Sequence, residues 1–175
     1  MRSISILGAT GSVGASTLDL IRRNRDSWRV MALTANCNVD ELATLAREFA
    51  VQVAVVADET CLPALRDALS GTDIECAGGA QALCDAASLG ADMTVAAIVG
   101  CAGLAPVMAA IERGGTIALA NKEALVSAGD VMTAAVSRTG AKLLPVDSEH
   151  NAIFQCLPAD GGRGGVRRLL LTASG

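Results

Sequence analysis

The chain has 175 residues, a formal net charge of −4, 51% hydrophobic residues and only 2% aromatic ones. That length suits one domain and at most the start of another, with Ala, Val, Leu and Ile to fill the core. The acidic balance leaves no basic footprint and the missing rings leave no stacking platform, so both argue against nucleic acid as a partner. Cys37, Cys61, Cys76, Cys84, Cys101 and Cys156 form no C-x-x-C pair. With no secretory leader ahead of the first apolar run, they read as reduced, mostly buried thiols of a cytoplasmic protein.

The first element is a short strand over 4–7, which runs into ISILGATGSVG and then an amphipathic helix over 13–23. Gly8, Gly11 and Gly14 therefore sit on a strand-to-helix turn. Such a turn aims backbone N–H groups and the positive end of a helix at one point, which suits a phosphate. The spacing is G-x-x-G-x-x-G, one residue looser than the common dinucleotide fingerprint, so the turn alone also fits an α/β domain without a nucleotide.

Further strands are expected over 30–34, 53–57, 94–99, 116–120, 142–146 and 166–172, with a short one near Ile74. Helices are expected over 40–49, 61–69, 80–89, 104–113, 124–138 and 151–156. Met93–Ile111 carries nineteen residues without a charge up to Ile111, but Gly100, Gly103 and Pro106 break it into strand, turn and helix rather than a membrane span. Near-continuous apolar strands alternating with helices predict an α/β fold with a doubly wound, mostly parallel sheet, Rossmann-like, with helices on both faces. Ligands of such a sheet bind at the carboxyl ends of its strands. ADGGRGG, over 159–165, reads as a loop or linker.

The strand ends supply the candidate site residues. After the second strand comes Thr34-Ala35-Asn36-Cys37-Asn38, with no acid for a ribose 2′-hydroxyl, which leans towards NADPH over NADH. Asn38 fits equally well as the N-cap of the following helix. The strand over 116–120 ends in Asn121-Lys122-Glu123. Glu123 fits a helix start and Lys122 a solvated charge; the functional alternative sets Asn121 on the nicotinamide ribose and Lys122 on an anionic or oxygen-rich substrate. The strand over 142–146 ends in Asp147-Ser148-Glu149-His150. Its two carboxylates can converge on one oxygen-preferring cation, Mg²⁺ or Mn²⁺, or merely open a helix. His150, the single histidine, reads more readily as a structural residue than as a ligand or base.

Taken together, ILGATGSVGASTLDLI, ALTANCNVDELA, AAIVGCAGL, ALANKEALVSAGD, LLPVDSEHNAIFQ and LLLTASG resemble, in order and spacing, the amino-terminal part of the 1-deoxy-D-xylulose 5-phosphate reductoisomerase family. NKE followed by PVDSEHNAIFQ is the most specific part of the match. The resemblance implies an NADPH- and divalent-metal-dependent enzyme of the non-mevalonate isoprenoid route. It would convert 1-deoxy-D-xylulose 5-phosphate, a sugar phosphate, into 2-C-methyl-D-erythritol 4-phosphate as a homodimer.

Carried over by motif, the resemblance sets Thr10, Gly11, Ser12 and Val13 on the NADPH pyrophosphate, with Asn36 and Asn38 near the ribose phosphate and Asn121 and Glu123 near the nicotinamide half. Asp147 and Glu149 would bind metal, while Lys122, Ser148, Glu149 and Ser174 would touch substrate, Lys122 and Glu149 in catalytic roles. Asn36 and Cys37 stand where many members carry glycine and a basic residue. Members are more than twice as long, so the resemblance assigns 1–146 to the NADPH-binding domain and 147–175 to the start of a catalytic domain. The third acidic ligand, the lid and most substrate-phosphate contacts would then lie elsewhere. Two rivals stay open on the residues alone. A semialdehyde or acyl-phosphate reductase needs a nucleophilic cysteine, such as Cys101, with a histidine partner; a non-catalytic nucleotide-binding module needs no convergent acids.

Overall fold

A computed structural model describes residues 1–158 and 164–170. The chain order is β1 (Arg2–Leu7), α1 (Ser12–Arg22), β2 (Trp28–Ala35), α2 (Val39–Phe49), β3 (Val53–Val56), α3 (Leu62–Ala68), β4 (Glu75–Gly78) and α4 (Gly79–Ala87), continuing through β5 (Met93–Ala96), α5 (Leu104–Arg113), β6 (Thr116–Leu119), α6 (Lys122–Thr139), β7 (Lys142–Pro145) and α7 (Ser148–Cys156). All seven strands are parallel, in the order β4-β3-β2-β1-β5-β6-β7. The chain steps outward from β1 to β4, then crosses back to lay β5 on the other side of β1. The strand order therefore reverses between β1 and β5, where a doubly wound sheet opens its binding crevice.

Alternating side chains of the strands feed different cores. Ile4, Ile6, Val30, Ala54 and Val56 pack under α1, α2 and α3, while Leu7, Ala96, Ile117 and Leu119 pack under α5 and α6. Helices thus cover both faces as expected, but unequally. The α1 face is open over β5 and β6, leaving a groove of about 400 Å³ among Ile4, Leu20, Met93, Val95, Ala118 and Val146.

Other departures have local causes. β5 stops at Ala96, where β1 ends at Leu7 and β6 at Leu119, so beyond the Ala97 N–H, which still bonds the Leu7 carbonyl, residues 98–100 lose the neighbours that an extended apolar run needs. α6 starts at Lys122 because Asn121 caps it, and it kinks at Ala128. The strand expected over 166–172 finds no ladder across 166–170; Leu169 and Leu170 are exposed, and 171–172 lie outside the described residues. The uncharged run after Met93 resolves into β5, a turn and α5, and no helix of the described residues is long and apolar enough to cross a membrane.

Backbone packs tightly against backbone at the first turn. Gly8 has a φ of +86°, and a Cβ there would lie 2.8 Å from the Ala97 carbonyl oxygen of the β5 end. A Cβ on Gly14 would lie 2.4 Å from the carbonyl oxygen of Gly8 and 2.6 Å from that of Ala9. Gly14→Ala should therefore push α1 off the turn at a cost of about 1–3 kcal/mol, a fall in melting temperature of roughly 2–4 °C for each kcal/mol at this size. Gly11→Ala, whose Cβ would meet only the Gly8 oxygen at 3.4 Å, should melt close to the parent. Equal melts for the two variants, followed by circular dichroism, would contradict the packing described.

Candidate active site

The site begins where β1 gives way to α1. Gly11 is the N-cap of α1 and supplies no side-chain hydrogen bond. The first N–H groups of the helix, on Ser12, Val13 and Gly14, have no intrahelical acceptor, so they and the helix dipole together suit an anion. Gly11 and Ser12 are exposed, while Thr10 and Val13 are half-buried; Val13 packs against the core. The turn itself is held from β2. Thr34, fully buried, accepts from the Gly8 N–H through its hydroxyl oxygen at 2.9 Å, and its carbonyl accepts from the Ala9 N–H at 2.7 Å.

At the β2 end, Asn36, Cys37 and Asn38 are exposed. Asn38 caps α2, accepting from the Glu41 N–H at 3.4 Å while its Nδ2 donates to the Glu41 carboxylate at 2.6 Å. The Asn36 carbonyl accepts from the N–H of Asp58, an exposed acid just past β3. Its carboxylate is occupied in turn by the Thr60 hydroxyl and N–H, which hold it below the ordinary carboxylate range.

Beyond the switch point, Asn121 is turned inward. It is 2% exposed. Its Oδ1 accepts from the Ala124 N–H at 2.9 Å, and its Nδ2 donates to the carbonyls of Ile98 at 2.6 Å and Gly100 at 2.8 Å. Lys122 and Glu123, the first residues of α6, are exposed. The Lys122 ammonium lies 3.8 Å from Glu149 Oε1, which joins the β6 end to the β7 end.

At that last strand end Asp147 is the N-cap of α7. Its Oδ1 accepts from the His150 N–H at 2.9 Å and lies 2.6 Å from His150 Nδ1. Burial pushes the Asp147 carboxyl up, but the His150 N–H, the His150 ring and its charge together outweigh this and hold it below the usual range. Glu149 is lowered by its own backbone N–H, by the Ser148 hydroxyl, which donates to Oε2 at 3.2 Å, and by the Lys122 charge, against the opposing charge of Asp147. Both acids are thus ionised at neutral pH and near enough to feel one another. Asn151 Nδ2 donates to the Pro145 carbonyl at 2.7 Å, fixing α7 to the end of β7.

The donor set fits a hard divalent cation in kind, with two ionised carboxylates side by side, but not in number. No group of three His, Cys, Asp or Glu residues among the described residues could enclose a metal. The structure gathers Lys122, Asp147, Ser148 and Glu149 at adjacent strand ends and keeps the Asn36–Asn38 segment with the glycine turn; Ser174 lies outside the described residues. None of the six cysteines is buried as expected: Cys37, Cys101 and Cys156 lie in loops or at a helix end and are exposed, and Cys61, Cys76 and Cys84 are half-buried. Cys101 makes no hydrogen bond to His150 among the described residues. Thr34 and Asn151 escape a reading of the sequence. A lone hydroxyl closing an otherwise apolar strand, and an Asn one turn past a capping Asp, were the available signals.

Fold and strand ends together define an α/β domain of the dinucleotide-binding type, carrying a carboxylate pair suited to an oxygen-preferring cation. The sequence profile described as 1-deoxy-D-xylulose 5-phosphate reductoisomerase matches residues 4–129, and that of the reductoisomerase C-terminal domain matches 143–175. The chain belongs to the 1-deoxy-D-xylulose 5-phosphate reductoisomerase family. It is 57% identical over 174 residues to the reductoisomerase of Zymomonas mobilis, covering 99% of this chain and 45% of that protein. Among solved structures, the Zymomonas mobilis enzyme in complex with NADPH superposes with a TM-score of 0.89 over 91% of this chain and 42% of that one. A reductoisomerase in complex with NADPH, fosmidomycin and magnesium, 44% identical, gives 0.88 over 91% of this chain and 40% of that one. The chain therefore spans less than half the length of these relatives.

The cap of α7 makes a measurable demand. Asp147→Ala should cost about 1 kcal/mol, and Asp147→Asn only a few tenths, because asparagine caps nearly as well. The Asp147 carboxyl titrates lower in the folded chain than its unfolded value of about 3.9. Its stabilisation is therefore complete above that value and fades as pH falls through the folded one. Melts of parent and Asp147→Ala should differ near neutral pH and converge in acid. A gap that persisted into strong acid would contradict the capping role.

Proposed function

We propose that this chain is the cofactor-binding part, with the opening of the catalytic part, of an NADPH- and divalent-metal-dependent enzyme. The reaction converts 1-deoxy-D-xylulose 5-phosphate into 2-C-methyl-D-erythritol 4-phosphate for isoprenoid synthesis. The observation that carries this reading is the ion pair of Lys122 with Glu149, which brings the NKE strand end against the acid pair one strand away. Relatives solved with NADPH and with fosmidomycin and magnesium support the same pairing of ligands. Assembly as a cytoplasmic homodimer belongs to the same proposal for the whole protein.

In this reading Thr10, Gly11, Ser12 and Val13 hold the cofactor pyrophosphate on the uncapped N-terminus of α1. Asn36 and Asn38 flank the adenosine ribose, where no acid at the β2 end repels a 2′-phosphate and no cation clasps it. Asn121 and Glu123 belong to the nicotinamide side of the switch point. When bound, the nicotinamide supplies the hydride. Asp147 and Glu149 would hold the cation, which when bound supplies Lewis-acid polarisation of the substrate's carbonyl and hydroxyl oxygens. Lys122 sets a fixed positive charge where oxyanion character grows. Ser148 orients Glu149 through its hydroxyl, and with Ser174 offers hydrogen bonds to substrate. Asp147 meets His150 on a single oxygen, Oδ1, so capping α7 and binding a cation are compatible duties for one carboxylate.

In the whole protein, Asp147→Asn and Glu149→Gln should each abolish Mn²⁺-dependent NADPH oxidation at saturating substrate. NADPH affinity and the melting temperature should stay close to the parent's, since the cofactor turn is built on a different strand end. Near-normal turnover in both variants would remove the metal assignment and leave the acids as helix-start residues.

A further inference from the structure

Asn121 is buried at the crevice end of β6, and every part of its amide faces protein backbone. Both Nδ2 hydrogens are spent, on the Ile98 and Gly100 carbonyls, and Oδ1 is spent on the Ala124 N–H. Two carbonyls on one side and an N–H on the other admit one amide orientation only. The segment it grips has left the sheet: β5 ends at Ala96, Val99 is 82% exposed, and Gly100 takes a φ of +68°. Ile98 and Gly100 are thus fixed to the start of α6 by one side chain. The packing behind it is full, since a Cβ on Gly103 would lie 2.5 Å from Asn121 Nδ2 and 2.7 Å from the Ile98 carbonyl oxygen.

We infer that Asn121 is a positioning residue: it locks the loop after β5 to the N-terminus of α6 as one rigid wall of the nicotinamide half of the crevice, and acts on the cofactor through that wall rather than through its own amide. The inference rests on the cofactor reading above and deepens it. In a doubly wound sheet the adenosine half lies over β2 and the nicotinamide half over β5 and β6. Loosening this wall should therefore weaken only the part of a dinucleotide that reaches it. The glycine turn and the β2 end, held by Thr34, should be untouched. Lys122 follows Asn121 directly, so the same lock sets the ammonium's approach to Glu149.

The test uses the whole protein and two probes: NADPH, and 2′-phospho-ADP-ribose, which has the adenosine half and the pyrophosphate but no nicotinamide. Asn121→Ser keeps an oxygen that can cap α6 and loses both donors that reach across. By calorimetric titration it should weaken NADPH about tenfold, the size expected for one to two lost hydrogen bonds, and leave 2′-phospho-ADP-ribose affinity unchanged. Gly103→Ala adds no group that a ligand could miss but presses on the same amide, and it should show the same selective loss. It also decides the matter alone if the serine variant does not fold. An equal loss for both probes would reduce Asn121 to a general brace and overturn the inference. So would no loss for either, or a loss in Asn121→Ser absent from Gly103→Ala, which would mark direct contact. Failure of the parent to bind either probe would overturn the cofactor reading itself.

Discussion

The arrangement depends on a close approach of backbone to backbone at the centre of the sheet. β1 is flanked by β2 and β5 and hands over to α1 across four residues, 8–11. Carbonyl oxygens of Gly8, Ala9 and Ala97 stand where the side chains of larger residues at 8 and 14 would go. Only a turn without Cβ atoms at those places lets α1 start directly over the strand end. Because the helix starts there, its unpaired N–H groups open into the crevice where the strand order reverses, and the other strand ends are arrayed around that point.

Those ends are tied together by polar side chains that serve backbone rather than solvent. The Thr34 hydroxyl from β2 holds Gly8, Asn121 after β6 holds Ile98 and Gly100, and Asn151 in α7 holds Pro145. Each satisfies a group that the end of a parallel ladder leaves free, and an unpaired buried group is costly. Satisfying the backbone and shaping the site are therefore one task here. The Lys122–Glu149 pair completes the series, carrying the link from the end of β6 to the acids at the start of α7.

Much of this was legible from local pattern. Apolar runs gave the parallel strands, and turn glycines gave the turn before α5, though not the early end of β5 at Ala96. Asn38 and Asp147 had each been open between a cap and a ligand, and both are caps in the structure, which leaves their ligand roles to experiment. What could not be read was non-local. The run over 166–172 has the composition of a strand, but pairing depends on a neighbouring edge that its own residues do not specify. Asn121 sits among polar neighbours that suggest a surface, yet tertiary packing turns it inward. The open half-face over β5 and β6 follows from the direction in which the chain crosses the sheet, and no single segment encodes that.

The central claim is that the uncapped start of α1, held by its glycines and by Thr34, receives the cofactor's pyrophosphate. The most direct measurement is an amide-resolved ¹H–¹⁵N titration of the 175-residue chain with NADPH. The largest shifts should fall at the N–H groups of Thr10, Gly11, Ser12 and Val13, and none at the far ends of the strands, near Arg2 and Arg29. Saturable binding that left those four amides unmoved would contradict it.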